Sequence, residues 1–141
     1  MMRRREIFPI DRSEGMNLPE HFHLSGDYVS YRPKGEVTFA QLIDLCSSAV
    51  SFARLYDIKC LLADTTQLTG FGPPSTLERF EFVCRCALAA NGAVKLAVLA
   101  KPEMIDRDGF GIAVARNRGL VAGIFASEGD ALQWLCDPNS A

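Results

Sequence analysis

Residues 59–78, KCLLADTTQLTGFGPPSTLE, read as a buried strand, a polar turn and a newly started helix. The run Cys60-Leu61-Leu62-Ala63 is short, apolar and closed by Asp64, which suits a strand covered on both faces, as in a parallel sheet flanked by helices. Asp64, Thr65 and Thr66 fall at its carboxyl end. Ligands of open α/β sheets bind in the crevice beyond the carboxyl ends of the strands. Asp64, Thr65, Thr66 and Thr69 are therefore candidate ligand-binding residues. Two glycines and two prolines between Thr69 and Pro74 make a loop. Ser75-Thr76-Leu77-Glu78 then has the form of a capping box, so a helix begins at Ser75.

That helix stops at Asn91-Gly92, a good carboxyl-terminal cap. Leu77, Phe80, Cys84, Ala87 and Leu88 lie on one side of it, and Glu78, Glu81 and Arg85 form a narrow polar stripe. Phe82, Cys86 and Ala90 make a second apolar line beside Val83. Either the helix is deeply buried or this second line is an interface. Val94 to Ala100, VKLAVLA, is another apolar run of strand length and is expected beside the first. EMIDRDGFGIAVARNRG follows, with Asp106 as a cap and Phe110, Ala113, Val114 and Asn117 on one face of a third helix. Gly109 and Gly111 cost up to about 1 kcal/mol each in a helix relative to alanine and point to a close backbone approach, either to another element or to a ligand. Leu120 to Phe125 gives a third inner strand. Ser127 with Asp130 opens a last helix bearing Ala131, Leu132, Trp134 and Leu135.

Upstream, Thr38-Phe39-Ala40-Gln41 is a second capping box. Phe39, Leu42, Cys46, Ala49, Ala53 and Tyr56 follow at helical spacing to about Asp57. Before it, His21–Leu24 and Tyr28–Arg32 are strand-like and separated by the turn cluster Ser25-Gly26-Asp27, which predicts a hairpin. His21 and His23 would share one side of that strand, but no third metal ligand accompanies them. Residues 1–19 read as an arm with one short strand at Ile7 to Ile10, 20–136 as one domain, and 137–141 as a tail.

Composition bounds the function classes. The 141 residues suit one domain. No apolar run nears the ~20 residues that span a bilayer, and MMRRREIFPID has no apolar segment of the secretory type, so a cytoplasmic location is the expectation. A net charge of −2 argues against nucleic acid as partner, with Arg3, Arg4 and Arg5 a solvated tail. The odd count of five cysteines suits reduced thiols. Cys84-Arg85-Cys86 places its two thiols on different sides of a helix, a poor start for a metal site.

Hairpin, helix, strand, helix, strand, helix, strand, helix is an α/β order, implying a mostly parallel sheet with an antiparallel hairpin and about four helices. In that order the chain resembles the SpoIIAA-like proteins of the STAS and STAS/Sec14-like group. The resemblance is carried by the hairpin running into Gly35-Glu36-Val37-Thr38, the strand ending LLADTT, the strand VKLAVLA, and the finish IFASEGDALQWL, over roughly residues 20 to 136. It implies a small non-enzymatic module that regulates a protein partner or holds a ligand. STAS anti-sigma-factor antagonists carry an Asp-Ser-Ser-Gly type motif whose serine is phosphorylated. The positions counted on from Asp64 read Gly72-Pro73-Pro74-Ser75, so the aspartate and the acceptor serine are missing, and Ser75 and Thr76 are the remaining candidate phosphoacceptors.

No G-x-x-x-x-G-K-S/T, G-x-S-x-G or H-E-x-x-H occurs, so neither catalytic residues, a metal nor a cofactor is predicted. Gly70-Phe71-Gly72 lacks the third glycine of a dinucleotide loop. Two readings remain. One is a non-enzymatic module with a protein partner or a small apolar or anionic ligand, self-associating as a homodimer through helix faces. The other is a small enzyme using Asp64 with Arg107 or Arg116. Asp64, Thr65, Thr66, Thr69, the Pro102–Asp106 loop and two helix amino ends would line the pocket, with Asp106 the fifth binding candidate.

Overall fold

In a computed structural model that describes residues 18–140, strands β1 (Phe22–Ser25) and β2 (Tyr28–Tyr31) form the antiparallel hairpin. The chain continues through β3 (Gly35–Glu36), α1 (Phe39–Leu55), β4 (Cys60–Asp64), β5 (Leu68–Thr69) and α2 (Thr76–Ala90). It ends with β6 (Lys95–Leu99), a 3-10 turn at Pro102–Met104, α3 (Phe110–Asn117), β7 (Val121–Phe125) and α4 (Glu128–Leu135). The main sheet has five strands in the order β1-β2-β4-β6-β7, and every pair after the hairpin is parallel. The expected strand at Ile7 to Ile10 and Arg3–Arg5 lie outside the described residues.

This order explains the layering. Each strand–helix–strand crossover steps one strand further in the same direction, and right-handed crossovers that keep one direction put their helices on one face. Alternate strand residues then divide between two cores. Leu61, Ala63, Leu96 and Val98 pack with the buried residues of α1, α2 and α3. Leu62, Ala97 and Leu99 pack with Ala131 and Leu135 of α4 on the other face. The continuous apolar runs of β4 and β6 follow from this double covering.

Both capping boxes are present. Thr38 Oγ1 accepts from the Gln41 N–H at 3.1 Å while Gln41 Oε1 accepts from the Thr38 N–H at 2.9 Å. Ser75 and Glu78 do the same at 3.1 and 2.8 Å. Ser127 caps α4 by accepting from the Asp130 N–H.

Four expectations change. On α2 the core-facing line is Val83, Cys86 and Ala90, whereas Leu77 and Leu88 are 72% and 79% exposed. Cys86 and Ala90 therefore belong to the core rather than to an interface, and Phe82 is half-buried beside them. The reason is steric: α2 lies between α1 and α3, and small side chains allow its backbone near them. Single outward leucines are ordinary on a soluble surface. Second, α3 buries Ala115, not the line through Ala113 and Asn117, both of which are exposed. Third, β7 is the sheet edge, with Val121 37% exposed. Fourth, His21 precedes β1 at φ 72° and sits 3.5 Å from Glu20, so it does not stand beside His23 on a strand. The described residues contain no cluster of three metal-ligating side chains, and none of their helices is long and apolar enough to cross a membrane.

All five cysteines are unpaired thiols. Burial pushes Cys46 well above its ordinary value and Cys86 up to about 12, against a small opposing pull from Arg85 on the latter. Because the thiolate is the reactive species, Ellman's reagent near pH 7.5 is expected to label exposed Cys136 first and to leave Cys46 and Cys86 unmodified until the protein unfolds. Rapid labelling of Cys86 in the native protein would contradict this packing.

Candidate functional site

A filled polar corner closes the carboxyl end of β4, and an apolar chamber lies beside it along β6 and β7. At the corner, Asp64 is buried and both of its oxygens are occupied. Oδ2 accepts from Arg32 Nη1 at 2.8 Å, and Oδ1 accepts from the Thr66 N–H at 2.9 Å and from its hydroxyl at 2.6 Å. Arg32 also donates two parallel bonds to Glu128, at 2.9 and 3.0 Å. One guanidinium thereby ties the end of β2, the end of β4 and the start of α4 together. The Glu128 hydrogen bond, opposed by desolvation and aided by the Asp64 bond, holds Arg32 protonated above its ordinary value. The cation on Asp64 is Arg32 rather than Arg107 or Arg116, both of which are exposed.

The threonines are similarly engaged. The Thr65 N–H and hydroxyl both donate to the Leu99 carbonyl at 2.9 Å, clamping the ends of β4 and β6. Thr69 belongs to the small parallel pair β3–β5, where its carbonyl accepts from the Val37 N–H at 2.8 Å. Gly70 follows at φ 104°, and a Cβ there would lie 2.5 Å from the Val37 carbonyl oxygen. Gly70→Ala is therefore expected to cost about 1–3 kcal/mol, the range for imposed backbone strain, measured by urea unfolding. A change below about 0.5 kcal/mol would show that this approach is not rigid.

The chamber is a cavity of about 110 Å³ between the α1–α2–α3 layer and the sheet. Phe39 and Phe71 meet edge-to-face at 5.8 Å, with Phe82 6.5 Å from Phe39. Leu96, Val98 and Ala122 supply the sheet floor, and Ile112 the α3 side. Gly111 lets α3 approach α2, its Cβ position being 3.7 Å from Val83. At the mouth, Arg79 donates to the Pro74 carbonyl at 2.7 Å and the Met104 carbonyl at 3.0 Å, joining the loop before α2 to the 3-10 turn. Asp106 accepts from the Asp108 and Phe110 N–H groups, each at 3.1 Å. These bonds, with Arg79 adding a little, hold its carboxyl below the ordinary range. The stability they contribute is therefore present at neutral pH and lost as the pH falls through that lowered value. Gly109 caps α3 at φ 70°, a conformation costly for other residues.

Of the five candidate binding residues, Thr65 and Asp106 reach the chamber wall, while Asp64, Thr66 and Thr69 do not. Phe82, read as an interface residue, is part of that wall. Ser75 and Thr76 are exposed, with the Ser75 hydroxyl engaged in its cap. The sequence reading missed Arg32, Phe39, Phe71 and Ile112 as neighbours of this region, because their meeting depends on contacts between distant parts of the chain. A second depression, about 410 Å³ at the amino ends of β4 and β6, is bordered by exposed Lys59, Gly92, Asp137 and Pro138. Lys95 lies over the Trp134 ring at 4.6 Å there and donates to the carbonyls of Trp134 and Asp137 at 2.9 and 2.8 Å.

No family model matches the chain, and no curated protein does either. Among solved structures, the chain is similar to an uncharacterised protein of the DUF3478 family with a SpoIIAA-like fold from Shewanella loihica PV-4. The two share 20% sequence identity at a TM-score of 0.41, over 86% of this chain and 100% of the other.

Proposed function

We propose that the protein is a non-enzymatic module that holds a small apolar molecule in the chamber above β6 and β7. The observation that carries this reading is the chamber itself, an aromatic and aliphatic cavity of about 110 Å³ enclosed between the helices and the face of β6 and β7. An apolar cavity of about 150 Å³ lined by Leu, Ile and Phe stays dry and takes up benzene, so a guest of one ring or a short branched chain is the right size. Thr65 and Asp106 spend their polar atoms on the backbone, which keeps the walls effectively apolar. Asp64 has Arg32 and Thr66 on its two oxygens, an arrangement that suits a structural joint better than a base.

Titration of toluene into ¹⁵N-labelled protein tests this. Saturable amide shifts are expected at Phe82, Ile112 and Ala122, with Tyr28 and Cys136 unmoved. Shifts that never saturate, or that centre on the Lys59–Gly92 depression, would overturn it.

A further inference from the structure

The chamber mouth carries a cation without a task. Lys101 directly follows the β6 carboxyl end, lines the chamber and is half-buried. The other cations near the mouth differ: Arg79 spends its guanidinium on the Pro74 and Met104 carbonyls, and Arg107 is exposed and outside the lining. Among the described residues Lys101 has no carboxylate, carbonyl or ring partner, although Asp106 also lines the chamber. Asp106 instead serves the start of α3 through both oxygens.

Resting on the ligand-binding reading above, we infer that the guest is a small monocarboxylate whose single ring or short branched chain fills the chamber and whose carboxylate meets Lys101 at the mouth. Charge complementarity selects this chemistry. The stem of Lys101 can lie along the apolar wall while its head stays near water, and an ammonium so placed gains a charge-assisted hydrogen bond from an anion. The cavity volume leaves room for one ring, so a long-chain fatty acid does not fit within it. A neutral guest would fill the cavity but leave the ammonium unpaired.

Phenylacetate and its neutral isostere phenylacetamide, with toluene as apolar reference, separate the two levels of the reading by calorimetric or NMR titration. Wild-type protein is expected to bind phenylacetate about tenfold or more tightly than phenylacetamide, the scale of one charge-assisted hydrogen bond. Lys101→Met should remove that preference, so that acid and amide bind alike, while Lys101→Arg should keep most of it. Circular dichroism melting confirms that each variant is folded. Equal binding of acid and amide by wild-type protein, or a preference that survives in Lys101→Met, would overturn the carboxylate inference and leave the apolar chamber standing. Absence of binding by all three probes would overturn both.

Discussion

Arg32→Met is expected to lower the free energy of unfolding by about 3 kcal/mol, because breaking a buried ion pair from one side strands the other charge. Asp64 has a side chain only 6% exposed and Arg32 one 27% exposed, so neither is well screened by solvent. The Thr66 bonds that remain to Asp64 Oδ1 keep the loss near the lower end of the range for such pairs. The ordering of related variants follows from the same geometry. Asp64→Asn keeps an acceptor for Thr66 and leaves Arg32 paired with Glu128, so its cost is smaller. Glu128→Gln removes a carboxylate that is 45% exposed, and exposed pairs contribute about 0–1 kcal/mol. Urea unfolding of the three variants should rank them Arg32→Met, then Asp64→Asn, then Glu128→Gln. A cost below about 1 kcal/mol for Arg32→Met would mean that the joint between β2, β4 and α4 is not under load.

Ala122→Leu is expected to abolish binding of toluene and other single-ring probes while changing stability by less than about 1.5 kcal/mol. Ala122 is half-buried on β7 and forms part of the chamber floor. Three added carbons there project into a cavity of about 110 Å³ and occupy the space of the guest. Enlarging a residue in a close-packed core usually costs 1–3 kcal/mol through strain, but here the new atoms enter existing space and β7, at the sheet edge, can shift slightly. Unfolding curves read the stability and NMR titration reads the binding. A variant that still binds toluene at wild-type affinity would place the guest elsewhere.

Local chemistry was the legible part of the sequence. The capping boxes at Thr38 and Ser75, the turn at Gly26-Asp27 and the runs of β4 and β6 each depend on residues within a few positions, and all form as read. Their alternation gave the mostly parallel sheet and its hairpin. What depends on distant contacts was not legible. Both lines of α2 are apolar, so hydrophobicity alone could not choose Val83, Cys86 and Ala90 over Leu77 and Leu88. Only the presence of α1 and α3 on its flanks decides that. The parallel pair β3–β5 has two residues per strand, too few for any period. At the site, Asp64 is where expected but satisfied, since Arg32 and Glu128 lie 32 and 96 positions from their partners in that joint. The apolar chamber draws one or two residues from each of several elements, so no motif marks it.

The chamber as a site for an apolar guest is tested most directly by a crystal structure of the protein under xenon pressure. Apolar cavities of this size take up xenon. The account predicts a xenon atom between Phe82, Ile112 and Ala122, with the surrounding side chains unmoved. A collapsed cavity, with Met104 or Phe71 folded into the space and no xenon bound, would contradict it.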